Sequence, residues 1–312
     1  METRQIGSLN VSVVGLGCNN FGWRIDEGQT AVVVNAALDA GITFFDTADM
    51  YGGTKSEEFL GRALGRRRDD IVLATKFGLE VDEHRHGAKP AYVRQAVEDS
   101  LRRLGTDRID LYQLHQPDPT TPIDDTLGAL DELVRAGKVR EIGCCNFSAD
   151  ELRVATKATA PGAARFASVQ NEYSLLQREP ERGLLDECRR AGLAFIPYYP
   201  LASGLLTGKY RHGKPAPAGS RLESQFGTEP FTEGNLLIVE SLLRFATSRG
   251  RTLVELAVSW LASRPAVASV IAGATSAEQV RTNAAAAGWK LTDAELAEVD
   301  VILARPTQSG HS

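Results

Sequence analysis

The chain has 312 residues, 43% hydrophobic and 24% charged, enough to bury a large core; at about 150 residues per domain this means two domains or one large α/β domain. Its 35 basic and 40 acidic side chains leave a net charge of -5 with no long Lys/Arg run, which argues against a nucleic-acid partner. No stretch approaches the ~18 uninterrupted apolar residues of a membrane span, and Cys18, Cys144, Cys145 and Cys188, lacking C-x-x-C spacing, read as reduced thiols and not as staples or metal ligands.

Met1-Glu2-Thr3-Arg4 leads straight into an alternating segment in place of a signal peptide, so a cytoplasmic chain is expected. From Thr3 to Val13, two short extended pieces around Gly7-Ser8 and Leu9-Asn10 predict a β-hairpin. Apolar or β-branched runs then begin near Val13, Ile42, Ile71, Ile109, Val139, Ser168, Ala194 and Ser269, with helix-period segments between them. Most intervals suit one parallel strand and one crossover helix. The stripe Val93, Val97, Leu101 and Leu104 followed by Gly105 marks an amphipathic helix and its left-handed end. Capping boxes are expected at Thr54/Glu57, Ser148/Glu151, Thr252/Glu255 and Ser276/Gln279. The last interval, from Ala194 to Ser269, spans 75 residues and holds a Gly/Pro-rich loop from about 208 to 234, then helices near 235–249 and 252–263.

Eight strand and helix units fit a single closed (β/α)8 TIM barrel over residues 1–312, the hairpin closing its bottom and the long loop lying between barrel strands seven and eight. An open doubly wound sheet fits the alternation too. Its usual fingerprints are missing: Gly15-Leu16-Gly17-Cys18-Asn19-Asn20 lacks the third glycine of G-x-G-x-x-G, and Gly204 to Lys209 has the wrong spacing for a P-loop, with Tyr210 after it.

At consecutive strand ends stand Asp46, Lys76 and His115, with Tyr51 on the loop after Asp46. In a barrel these converge on the C-terminal mouth, where barrel enzymes place their chemistry. A phenol is a poor proton donor at neutral pH unless a cation stabilises its phenolate; Lys76 supplies that charge, Asp46 orients the ammonium, and neutral His115 bonds the substrate oxygen or the tyrosine hydroxyl. Singly, Asp46 also reads as a turn cap, Lys76 as a strand-end charge, Tyr51 as a loop aromatic and His115 as a structural histidine.

The strings Phe45-Asp46-Thr47-Ala48-Asp49-Met50-Tyr51-Gly52, Ala74-Thr75-Lys76-Phe77-Gly78, Asp110-Leu111-Tyr112-Gln113-Leu114-His115 and Ile142-Gly143-Cys144-Cys145-Asn146-Phe147 resemble the aldo-keto reductase superfamily over nearly the whole chain. The resemblance implies a catalytic tetrad of Asp46, Tyr51, Lys76 and His115, and a nicotinamide cofactor bound without a Rossmann fold. It also implies that Cys145, Asn146 and Gln170 face the nicotinamide carboxamide and that Tyr198 stacks on the ring. Pro200, Leu201, Ser203 and Lys209 would belong to a pyrophosphate clamp. Arg221 would reach the adenosine portion, and Gly273, Thr275, Gln279 and Asn283 the adenine and its ribose phosphate. A helix N-terminus after barrel strand eight suits that phosphate on physical grounds also.

Three residues depart from the family's pattern. Gly273 and Gln279 stand where many relatives have lysine and arginine, and Cys145 replaces a serine. NADPH is the expected cofactor, with NADH possible. Trp23 is a candidate substrate wall. The implied reaction is reduction of an aldehyde or ketone with Tyr51 as general acid; a lactol 1-dehydrogenase using NAD and a dinucleotide-sensing binding subunit are the alternatives. The sensing branch carries asparagine where this chain has His115. The partner expected is a small carbonyl or sugar molecule, and a monomer is the default.

Overall fold

A computed structural model of the chain describes residues 1–211, 213–215, 217 and 228–304. An antiparallel hairpin of β1 (Thr3–Ile6) and β2 (Leu9–Ser12) turns at Gly7-Ser8, where Gly7 has φ 56° and the Ser8 amide donates to Glu141 Oε1 at 2.8 Å. Eight parallel strands follow: β3 (Val14–Gly17), β4 (Phe44–Asp46), β5 (Val72–Phe77), β6 (Ile109–Leu114), β7 (Val139–Cys145), β8 (Phe166–Glu172), β9 (Ala194–Tyr198) and β10 (Val270–Gly273). Their order is β10-β3-β4-β5-β6-β7-β8-β9. The seam from β9 to β10 is a short bridge: Phe195 N donates to Ala266 O at 2.7 Å and Ala268 N to Phe195 O at 3.0 Å. The result is a nearly closed (β/α)8 barrel, as the alternation predicts.

Between successive strands lie α1 (Glu27–Asp39), α2 (Lys55–Leu64), α3 (Pro90–Leu104), α4 (Ile123–Arg135), α5 (Ala149–Ala158) and α6 (Leu184–Ala191). The long interval before β10 contains α7 (Glu233–Thr247) and α8 (Leu253–Ala262), and after β10 come α9 (Ala277–Ala285) and α10 (Asp293–Leu303). The predicted stripe on α3 is buried and Gly105 ends the helix at φ 64°, ψ 37°. The boxes at Ser148/Glu151 and Thr252/Glu255 form as expected. That at Thr54/Glu57 does not: Thr54 is itself left-handed after Gly52-Gly53 and caps nothing, while Glu57 is buried and accepts from Thr75 and Arg103. At α9 only half a box forms. Ser276 caps Gln279 N, but the Gln279 carbonyl oxygen turns back to Thr275 N.

Period-two alternation sorts the strand residues. Phe44, Val72, Ala74, Leu111, Ile196 and Ile271 join Ile6, Leu9 and Val11 of the hairpin in an apolar cluster inside the ring, whereas Phe45, Leu73, Tyr112, Ile142 and Val169 face the helices. Two residues beyond Phe44, Ala74, Leu111 and Ile196, on the same face and nearer the mouth, stand Asp46, Lys76, Gln113 and Tyr198. The fold thus plugs one end with apolar side chains and assembles polar ones at the other.

Candidate active site

Lys76 ends the inward row of β5, is fully buried, and donates to Asp46 Oδ2 at 2.5 Å, to Thr47 O at 3.0 Å and to the Tyr51 hydroxyl at 3.4 Å. Asp46 Oδ1 accepts from the side-chain amides of Gln113 at 3.1 Å and Gln170 at 3.0 Å. The turn carrying Tyr51 is pinned from several sides. Asp49 N donates to Lys76 O, Thr47 Oγ1 and Ser56 Oγ share a hydrogen bond, and Ser56 Oγ donates to Cys18 O. Gly52 has φ 59°, and a Cβ there would come 2.3 Å from Phe21 O, so only glycine lets this turn sit against the loop after β3. His115 follows β6 with its imidazole edge-on to Tyr51, ring centroids 5.7 Å apart. The four side chains predicted to meet therefore do meet.

The electrostatics differ in one respect from the sequence argument. Burial is the largest influence on Tyr51 and Lys76 only partly opposes it, so the phenol is pushed up to about 12 and not lowered overall. A protonated phenol at neutral pH is what a proton donor requires. Burial disfavours the Lys76 ammonium, but Asp46 beside it more than offsets this and holds it above the ordinary lysine range. Burial, followed by the nearby Lys76 charge, drives His115 well below the usual imidazole value, so it is neutral; its Nδ1 is buried with no partner among the described residues.

Above these groups lies a cleft of about 770 Å³ lined by Asp46, Tyr51, His115, Cys145, Asn146, Gln170, Tyr198, Pro200, Leu201, Ser203, Lys209, Gly273, Thr275, Gln279 and Asn283. Lys76 lies beneath its floor. Trp23 is half exposed on the loop after β3 and is not among the lining residues. Arg221 falls outside the described residues. Several lining residues had no sequence assignment, among them Asn19, Asn20, Arg24, Leu79, Tyr199 and Glu278. Asn19 and Asn20 end the Gly15–Asn20 string and Arg24 follows it, and a polar run just past a barrel strand is the signal for them.

The donors and acceptors on these walls suit a pyridine dinucleotide. Gln170 and Asn146 supply amide groups, although Asn146 is already tied at both ends: Nδ2 donates to His115 O at 2.9 Å and Oδ1 accepts from the Tyr198 hydroxyl at 2.9 Å. These bonds hold Asn146 at φ 61°, a costly conformation for a residue other than glycine. Tyr199, Ala202 and Ser203 are left-handed as well, and Gly204 at φ 94° continues a concave backbone of the kind that cradles anions. Lys209 Nζ is 3.7 Å from where a Cβ on Gly204 would stand. A Cβ on Gly273 would come 3.0 Å from Asn20 Nδ2 and 3.1 Å from Asn19 Oδ1, so that glycine keeps the wall between β3 and α9 thin. Gly273, Thr275, Glu278, Gln279, Thr282 and Asn283 line this end, one acid among uncharged groups, while Arg281 of the same helix is exposed outside the lining.

The profile of the aldo/keto reductase family matches residues 13–304. The aldo-keto reductase yakc [NADP(+)] of Schizosaccharomyces pombe is 36% identical over 96% of this chain and 90% of its own length. The aldo-keto reductase YhdN of Bacillus subtilis is 35% identical over 95% of this chain and 91% of its own, and the aldo-keto reductase str7 of Strobilurus tenacellus 35% over 96% and 91%.

Proposed function

Because the chain belongs to the aldo/keto reductase family, we propose that it reduces an aldehyde or ketone to the alcohol, using NADPH and accepting NADH. The observation that carries this reading is the line of contacts from Asp46 through Lys76 to the Tyr51 hydroxyl at the floor of the cleft. When bound, the dinucleotide supplies the hydride. Tyr51 gives its proton to the oxygen of the substrate carbonyl as negative charge develops there. Lys76 stabilises the phenolate left behind, in a water-poor site where one fixed charge is worth far more than in solvent. Asp46 keeps the ammonium charged and aimed. Neutral His115, with no acidic proton to compete, orients the carbonyl oxygen toward Tyr51. Asn146, Gln170 and Tyr198 hold the nicotinamide end. The concave backbone from Tyr199 to Gly204, with Lys209, holds the pyrophosphate.

Use of NADPH is supported by the name of the fission-yeast relative. Acceptance of NADH is supported by the described residues at the start of α9, where Gly273, Thr275 and Gln279 are uncharged and Glu278 is acidic.

The test is an aldehyde and ketone panel with each dinucleotide, followed at the nicotinamide absorbance, alongside fluorescence titration of dinucleotide binding. Tyr51→Phe is expected to lose nearly all turnover and to keep its dinucleotide affinity. Undiminished reduction by that variant removes Tyr51 from the proton step. Tight dinucleotide binding without turnover of any carbonyl would make the wild-type chain a binding subunit instead.

A further inference from the structure

Gln113 lies on the inward face of β6 between Leu111 and His115, is wholly buried, and has no counterpart among the residues expected at the site. A polar side chain sealed from water costs free energy unless its groups are bonded, and an apolar residue such as Leu111 fills the same row without that cost. The bonds that Gln113 makes are specific. Its amide nitrogen donates to Asp46 Oδ1 at 3.1 Å, and its carbonyl oxygen accepts from Gln170 Nε2 at 3.4 Å and from the Cys145 thiol at 3.9 Å. Room for it comes from β7, where a Cβ on Gly143 would stand 3.2 Å from Gln113 Cγ.

The direction of these bonds follows from chemistry. A carboxylate holding an ammonium can only accept, so the amide nitrogens of both Gln113 and Gln170 must face Asp46. Gln170 then has one N–H on Asp46 and points the other at Gln113 Oε1. Both its donors are spent within the floor, leaving its carbonyl oxygen to offer the cleft. Removing Gln113 would take one donor from Asp46 and one acceptor from Gln170, leaving the Gln170 amide held by Asp46 alone.

We propose that Gln113 is a positioning residue: it holds Asp46 beneath Lys76 and, together with Asp46, fixes the Gln170 amide so that Gln170 presents an acceptor to the bound dinucleotide. This rests on the reductase reading above, and acts on Tyr51 only through Asp46 and Lys76.

The experiment compares Gln113→Met and Gln113→Glu in the full chain. Turnover is followed from about pH 5.5 to about pH 9, dinucleotide affinity by fluorescence quenching and folding by thermal melting. Gln113→Met is expected to lower kcat by about tenfold, the scale of one lost hydrogen bond to a charged group, and to weaken dinucleotide binding severalfold. In Gln113→Glu the new carboxyl group sits beside Asp46. Protonated, it can donate as the amide did; ionised, it repels. Its kcat should approach wild type near about pH 6 and fall at least about tenfold behind by about pH 8.5. Wild-type behaviour of Gln113→Glu at every pH overturns the proposal. So does a deficit constant over pH and equal to that of Gln113→Met, which is the mark of packing alone. If Gln113→Glu melts below the assay temperature, Gln113→Met decides, and a kcat within about twofold of wild type with unchanged affinity refutes the role. Wild-type turnover and its loss in Tyr51→Phe test the reductase reading separately, and the affinity shift can be read without any turnover.

Discussion

Replacing Lys76 by Met removes the ammonium and nearly preserves the length of the side chain. In the wild type the ammonium nitrogen is 3.4 Å from the Tyr51 oxygen. With an effective dielectric of about 20, Coulomb's law gives an attraction for the phenolate of about 5 kcal/mol, more than three pKa units. Tyr51 stands at about 12 with the ammonium in place, so without it proton donation becomes far less favourable. The expected result is a fall in kcat of about 10²–10⁴ for carbonyl reduction, with dinucleotide affinity retained. The same change strands the buried Asp46 carboxylate, which should lower stability by about 3–5 kcal/mol. Asp46→Asn in the Lys76→Met background should recover most of that stability and none of the activity. Dinucleotide oxidation at saturating substrate, a pH profile and thermal melts of both variants provide the measurements. A folded Lys76→Met enzyme within about tenfold of wild-type turnover would refute the electrostatic argument.

Asp49, buried under the Tyr51 turn, is raised to about 7, chiefly by burial and then by the nearby Glu57. The folded state therefore binds its proton more tightly than the unfolded chain, and stability falls as pH rises from about 4 through about 7. Asp49→Asn should match wild type in acid and exceed it by up to about 4 kcal/mol above that window; a difference that does not vary with pH in denaturant titrations contradicts this. On α2, a Cβ at Gly61 would stand 2.4 Å from the carbonyl oxygen of Leu104, whereas no described residue comes within 4 Å of a Cβ at Gly128 on α4. Gly61→Ala should cost about 1–3 kcal/mol by forcing α2 off α3, and Gly128→Ala should gain about 0.5–1 kcal/mol, both read from melting curves; equal effects would show that helix propensity outweighs the contact.

The strands were legible because each is a short β-branched or apolar run bounded by turn residues, and the observed starts fall within about two residues of those expected. Asp46, Lys76 and His115 were legible because they stand at strand ends, where a barrel gathers its polar groups. Gln113 was harder to see. It sits inside the apolar-looking run Leu111 to Leu114, and only the alternation that groups it with His115 and against Tyr112 marks it as inward. Thr54 misled because its pairing with Glu57 is local, while two preceding glycines in left-handed conformations set the turn. Lys76 does favour the Tyr51 phenolate as expected, but that burial outweighs it is not legible, because sequence displays the neighbouring charge and conceals the desolvation.

Alternation along β6 also makes the site sensitive to parity. Inserting or deleting one residue between Ile109 and His115 would turn Gln113 toward the helices and carry Tyr112 or Leu114 toward the barrel axis, though composition would hardly change. A gap of the same size between α4 and β7 shifts no side chain from one face to the other within either element. The connections of this barrel can thus be lengthened or trimmed without disturbing the floor of the cleft, while the short runs that form it behave as reading frames.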